Sequence, residues 1–226
     1  MTDRSDSFRR IQKIENSIED ALWDSVQDED YEKALEKYQI AKRDLESLEL
    51  DTPHDEKERK RVLSYCLMRI NDVMEHLDQS EGSIERAKES LRLAEESEDK
   101  VQTLRSKLAV GVNYLNHGNL PKAESYFTDI ILQTHDETDN QDIIQVYGWT
   151  LIVRVNILLG KSLYNQAKEL ALQSLGVLSG IKNYAGQRTA CSLLSKIYQI
   201  EGDDEQSSFY RERAEDYAQA AKEHRK

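Results

Sequence analysis

The stretch "GVNYLNHGNLPKAESYFTDII", residues 111–131, decides how this chain folds. It places small, aromatic and helix-ending residues at regular offsets: Gly111, Tyr114, Gly118, Ala123 and Phe127. A glycine just past a helix end is a common helix terminator. Small residues on either side of that turn allow two helices to approach closely, and the larger side chains fill the space beside them. The stretch therefore predicts two antiparallel helices joined by a turn at Gly118.

Four other stretches repeat parts of this pattern. They are "DYEKALEKYQIA" (30–41), "GSIERAKESLRLA" (82–94), "SLYNQAKELALQS" (162–174) and "LLSKIYQIEGDDEQSSFY" (193–210). In each predicted pair a small residue marks the second helix: Ala34, Ala87, Ala123, Ala167 and Ser207. A helix pair of this kind cannot bury its apolar faces alone, so neighbouring pairs must stack.

The stretches 108–127, 193–210 and 30–41 resemble the tetratricopeptide-repeat (TPR) superfamily. The resemblance implies an all-α fold, a right-handed superhelical array of about five antiparallel helix hairpins, or TPR-like α-solenoid. The spacing departs from the family's period of about 34 residues. Ala34 and Ala87 lie 53 residues apart, and Ala123 and Ala167 lie 44 apart. The chain is therefore identified as a divergent, long-helix member.

Few residues interrupt the helical pattern, since the chain has only 9 glycines and 2 prolines. Gly82 is expected to end the third helix and Gly202 the ninth. Asn119 is expected to cap the start of the sixth helix. No linker rich in glycine, proline or serine divides it, which predicts one continuous TPR-like domain over residues 1–226. Its expected repeat units span 6–50, 55–98, 99–134, 141–178 and 183–224. The last helix is expected to act as a polar cap, which a helical array needs at its end.

Charge and hydropathy restrict the class of partner and the location. The net charge of −12 disfavours nucleic acid and anionic membrane as partners. The apolar stretch 143–160 contains Gln145, Arg154 and Asn156, so we expect a buried helix and not a membrane span. Residues 1–15 lack the apolar core of a signal peptide. With two separated cysteines and no disulfide framework, the sequence predicts a cytoplasmic protein.

Three patterns imitate chemical sites without completing them. Gly160, Lys161 and Ser162 suggest a phosphate-binding loop, but Val155 stands where its first glycine is required. The acidic loop 136–142 lacks the glycine and the bidentate glutamate of a calcium loop. The histidines lie in separate elements: His54, His76, His117, His135 and His224. We therefore expect no catalytic residues, no cofactor, no metal and no enzyme. A carboxylate pair assembled in space stays open as an alternative.

The resemblance implies that the first helix of each pair lines a concave groove. Transferred to this chain, it gives these partner-binding candidates: Arg69, His76, Arg105, Val112, Asn116, Trp149, Asn156 and Lys196. Trp149 is expected either to anchor a partner or to belong to the core. Family members that clamp a C-terminal carboxylate use cations where Asp72, Leu108 and Ile152 stand here. Docking to a chaperone by that clamp is therefore not expected.

The sequence thus predicts a non-catalytic scaffold or adaptor that binds a protein or peptide partner, expected to be acidic or helical. One alternative is a regulatory module that senses a peptide and changes its shape. A second alternative is an enzyme with a dispersed acid site. Self-association through the terminal helices stays open.

Overall fold

A computed structural model of the protein describes residues 5–27 and 29–223. Within these ranges the secondary structure consists of ten α-helices. They are α1 (Asp6–Gln27), α2 (Tyr31–Ser47), α3 (Pro53–His76), α4 (Ser83–Ser97), α5 (Lys100–Asn116), α6 (Leu120–Thr134), α7 (Gln141–Gly160), α8 (Tyr164–Gly180), α9 (Tyr184–Glu201) and α10 (Asp204–Glu223). The all-α class is confirmed. The end of the last predicted unit, residue 224, lies outside the described residues, as does His224.

Local capping explains where the helices begin and end. Thr52 accepts a hydrogen bond from the Asp55 backbone N–H, and Pro53 occupies the first turn of α3. Asn119 likewise accepts a hydrogen bond from the Lys122 N–H at 3.3 Å, as expected for the start of α6. Gly202, with φ of 78°, ends α9 as predicted.

Gly82 differs from the expectation that it ends the third helix. α3 already ends at His76, and Gly82 immediately precedes α4 with φ of 69°. The intervening turn is closed by a hydrogen bond from the Gln79 N–H to the Met74 carbonyl at 2.8 Å. Gly82 therefore supplies the left-handed residue that redirects the chain into α4.

The helices group into two compact units, Met1–Tyr126 and Phe127–Lys226. The division falls inside α6, and each unit is described by itself below. Whether the chain forms one continuous domain stays a prediction.

In the first unit, successive hairpins stack side by side. α1 pairs with α2 and α3 pairs with α4, while α3 also packs on both helices of the first hairpin and α5 on both helices of the second. Each new first helix thus lies in the groove between the two helices before it. Tyr38 is fully buried in the core with Ile11, Ile18 and Val62.

The second unit repeats the arrangement. α7 pairs with α8, α9 pairs with α10, and α9 also contacts both helices of the preceding hairpin. Its core joins Val155 of α7, Ala171 of α8 and Leu194 of α9. The small residues predicted for the second helices are all buried in the structure: Ala34, Ala87, Ala123, Ala167 and Ser207.

α7 is long and apolar enough to cross a membrane by length and composition, and 44% of its apolar window is buried inside the protein. The same length and composition are also typical of the core helix of a soluble protein. Val155 is fully buried in the core cluster of its unit, which matches the prediction of a buried helix.

Candidate functional site

Side-chain hydrogen bonds join α3 and α5, which are the first helices of the second and third predicted pairs. The Ser64 and Ser106 hydroxyls lie 3.0 Å apart, and Asn71 donates to the Asn113 side-chain oxygen at 2.9 Å. Further along, Asn116 donates to the Glu75 carboxylate. The partners follow one another in the same order in both helices, so α3 and α5 run parallel.

This register places the predicted residues of the first unit on one face. In a right-handed helix each residue is rotated about 100° from the one before. On α3, the residues that directly follow the contact residues form one row along the helix. On α5, the residues that directly precede the contact residues form another row. Because the helices are parallel, both rows lie on the same side of the helix pair. The α3 row contains Arg69, Asp72 and His76, and the α5 row contains Arg105 and Val112.

Side chains in these rows reach solvent. Arg69, Arg105 and Val112 are partly exposed, and His76 is exposed, as is Asn116 at the edge of the contact row. The structure thus brings together five of the predicted residues: Arg69, His76, Arg105, Val112 and Asn116. We name this surface, with Asp72, the α3–α5 face.

Charges on the α3–α5 face are paired within the protein. An Arg69 guanidinium nitrogen lies 3.1 Å from the Asp72 carboxylate, and the guanidinium lies 5.1 Å from the centre of the Tyr65 ring. Burial raises the pKa of Asp72, and Arg69 opposes that rise. Burial also lowers the pKa of Arg69, but Asp72 and Tyr65 outweigh it, so Arg69 stays charged.

His76 has a contact that the sequence did not predict. Its ring stacks on the Tyr31 ring of α2, with centroids 4.4 Å apart and planes 7° apart. The ring therefore helps attach α3 to α2 while one side remains exposed.

The second unit holds the other three predicted residues. Trp149 of α7 is half-buried, which fits neither a wholly exposed anchor nor a wholly buried core residue. Asn156 is exposed and donates to the Ile152 carbonyl of its own helix at 3.3 Å. Lys196 is exposed on α9, which packs against α7. Their role in binding stays a prediction.

Beneath the α3–α5 face lie buried polar contacts that were not predicted from the sequence. The hydroxyls of Ser64, Ser90 and Ser106 lie 3.0–3.1 Å from one another, and Gln102 donates to Ser64 at 3.0 Å. All four residues are buried. A signal was present, because Ser64 and Ser106 lie 42 residues apart, as do Asn71 and Asn113. Each buried hydroxyl needs a partner, so the contacts fix the register of the three helices.

Among the described residues, no group of three or more histidine, cysteine, aspartate or glutamate side chains could hold a metal ion. Cys66 and Cys191 are free and buried. Burial raises the pKa of the Cys66 thiol to about 12, which makes it a poor nucleophile near neutral pH.

Solved structures of other proteins have folds similar to that of this chain. No family model matches the sequence, and no curated protein matches it. A Podosopora anserina protein described as a kinesin light chain with nearly identical TPR-like repeats has a similar structure, with a TM-score of 0.55 at 10% identity over 93% of this chain and 97% of that one. This chain has a TPR-like fold.

Two further solved structures share the TPR-like fold of this chain. BtubC (BKLC) from P. vanneervenii matches with a TM-score of 0.56 at 15% identity, over 97% of this chain and 93% of that one. The Rap conjugation gene regulator of the plasmid pLS20, in complex with the Phr* peptide, matches with a TM-score of 0.65 at 17% identity. That match covers 88% of this chain but only 52% of the regulator, so this chain corresponds to about half of it.

Proposed function

We propose that this TPR-like protein is a non-catalytic interaction scaffold that binds a peptide or helix of a protein partner on its α3–α5 face. The observation that carries the proposal is the composition of that face. The partly exposed apolar side chain of Val112 lies one helical turn before the exposed amide of Asn116, and the partly exposed cationic side chain of Arg105 lies two turns before Val112 on the same helix. Apolar contact supplies affinity, while amide and charged groups fix the direction of a bound main chain.

The pairing of charges refines the expected ligand. Because Arg69 pairs with Asp72, and the Glu75 carboxylate accepts a hydrogen bond from Asn116 at the edge of this surface, the α3–α5 face is not strongly basic. We therefore propose that it takes a peptide of mixed apolar and polar character. A strongly acidic segment suits this face less well, since Asp72 and Glu75 would repel it.

The solved structure of the Rap regulator with a peptide supports this class of ligand, since its fold is similar to that of this chain. The same protein favours a second candidate, a regulatory module that changes shape when it captures a peptide. In either case we propose a cytoplasmic location, where the two buried thiols stay reduced.

The test uses the full chain as bait to isolate a partner, followed by titration of the purified partner. Val112→Glu places a carboxylate in the apolar part of the α3–α5 face. We expect it to weaken binding at least tenfold, since loss of a central contact costs about 1–3 kcal/mol or more. Circular dichroism checks that the variant is folded.

Leu132→Glu is the matched control, because Leu132 lies on the outside of α6 and is 68% exposed. It makes the same chemical change at an exposed position that is not one of the residues of the α3–α5 face, so binding should be unchanged. Equal loss from both variants, or loss from Leu132→Glu alone, would refute the assignment. Small-angle neutron scattering with the bound partner contrast-matched to the solvent then separates the candidates, since only the regulatory module changes the scattering profile of this chain itself.

A further inference from the structure

The two hairpins of the second unit repeat each other with a constant offset. A groove between α9 and α10 surrounds a recess of about 340 Å³. It is lined by Arg188, Ser192, Ser195, Arg211, Ala214, Glu215 and Ala218. Forty residues earlier, the equivalent positions in α7 and α8 hold Gly148, Ile152, Val155, Ala171, Ser174, Leu175 and Leu178. We name these surfaces the α9–α10 groove and the α7–α8 groove.

A helix occupies the α7–α8 groove. All seven of its residues are buried, and α9 packs against both α7 and α8. The approach is close: a Cβ atom added to Gly186 of α9 would lie 2.6 Å from Leu178. Ala190 and Leu194 of α9 share the core cluster with Ala171 of α8. The α7–α8 groove therefore shows that a groove of this shape accepts an α-helix.

The α9–α10 groove has the same frame but a different lining. Arg188 replaces Gly148, Arg211 replaces Ala171, and both arginines are exposed. Apart from Glu215, the rest of the lining is made of small residues: Ser192, Ser195, Ala214 and Ala218. A polar cap whose only task is solubility would cover this floor with long charged side chains. Here short side chains leave a recess between the guanidinium groups of Arg188 and Arg211.

Charge indicates what the groove can accept. Glu215 is the one acidic residue among those lining it, so the lining carries a net charge of +1 in a chain whose net charge is −12. A helix that seats an apolar face, as α9 does with Ala190 and Leu194, would strip water from two arginines without giving them a partner, which is costly. A helix that carries carboxylates at the matching positions would pair with them.

We propose that the α9–α10 groove is a second binding site, and that its occupant is an acidic amphipathic helix of a partner protein. The helix seats as α9 does in the α7–α8 groove. Its carboxylates occupy the places that Ala190 and Leu194 take there, one helical turn apart. They face Arg188 and Arg211, whose positions correspond to Gly148 and Ala171 in the filled groove.

The test uses a defined probe, a labelled peptide with the sequence of Tyr184–Glu201. Ala190 and Leu194 are both replaced by glutamate in the probe and by lysine in its control, and Cys191 is replaced by serine in both. Fluorescence anisotropy measures their binding to the full chain. We expect the glutamate peptide to bind at least tenfold more tightly than the lysine peptide.

Two protein variants complete the design. The double variant Arg188→Glu with Arg211→Glu should reverse the preference between the peptides. The double variant Arg10→Glu with Arg43→Glu makes the same change in net charge on exposed positions of α1 and α2, and should preserve it. Circular dichroism confirms that both are folded.

The proposal is overturned if the glutamate peptide does not bind saturably, or if the two peptides bind equally. A preference that survives the Arg188 and Arg211 reversal also overturns it. Sedimentation of the chain alone gives a further outcome: dimers that the same reversal abolishes would show that the groove belongs to a second copy. None of these results depends on the α3–α5 face.

Discussion

Replacing Gly148 with alanine should destabilise the protein, although alanine normally favours a helix. Gly148 lies in the middle of α7, where a Cβ atom would come within 2.6 Å of Cγ and Cδ2 of Leu178. Leu178 is fully buried, so it has little room to move. Overpacking of this kind costs about 1–3 kcal/mol. The gain in helix propensity is only about 0.5–1 kcal/mol.

The expected net loss is therefore about 1–2 kcal/mol. For a chain of this size, each kcal/mol lowers Tm by about 2–4 °C. Urea titration followed by Trp fluorescence and a calorimetric melt measure the change. Gly176→Ala is the matched control, because no atom lies within 4 Å of its added Cβ. That variant should be more stable than the wild type by about 0.5–1 kcal/mol.

A double-mutant cycle isolates the contact. Leu178→Ala alone should cost about 2–5 kcal/mol through the cavity it leaves. In that background Gly148→Ala should become stabilising, because the new methyl group has space. If Gly148→Ala stabilises the wild type as much as Gly176→Ala does, close approach through Gly148 is not what sets the spacing of these helices.

Two further predictions concern the first unit. Burial pushes the pKa of Asp55 upward, but hydrogen bonds from Thr52, Ser5 and Ser7 outweigh it and hold the pKa below its ordinary value. Its stabilising contribution should be complete above the unfolded pKa of about 3.9 and disappear as the pH falls through the lower folded value. Amide hydrogen exchange of α1 across that range measures this, and an Asp55→Asn variant should show a weaker pH dependence. Ser106→Val should lower the free energy of unfolding by about 1–3 kcal/mol, because the hydroxyls of Ser64 and Ser90 lose a buried partner; an unchanged urea midpoint would show that the serine cluster does not fix the register.

The helical pattern and the hairpin class could be predicted from sequence because they depend on local rules. Helix ends follow from caps such as Thr52 and Gly202, and the tight helix crossings follow from small residues such as Ala123. Gly82 misled the prediction, since a glycine can precede a helix as well as follow one. Only the structure distinguishes these two positions.

The candidate site was predicted less completely, because side-chain partners meet in space. The resemblance supplied the row of residues on α3 and α5, and the structure places them on one side. It did not supply the pairing of Arg69 with Asp72 or the stacking of His76 on Tyr31, which depend on how helices pack against each other. The α9–α10 groove was read as part of a cap, because its character emerges only by comparison with the filled α7–α8 groove.

Photo-crosslinking in living cells is the most direct test of partner binding on the α3–α5 face. A benzophenone amino acid is introduced at Val112 in one variant and at Leu132 in another, and crosslinked products are identified by mass spectrometry. We expect position 112 to capture a specific protein partner and position 132 not to capture it. Capture of the same partner from position 132 alone, or from both positions equally, would contradict binding on the α3–α5 face.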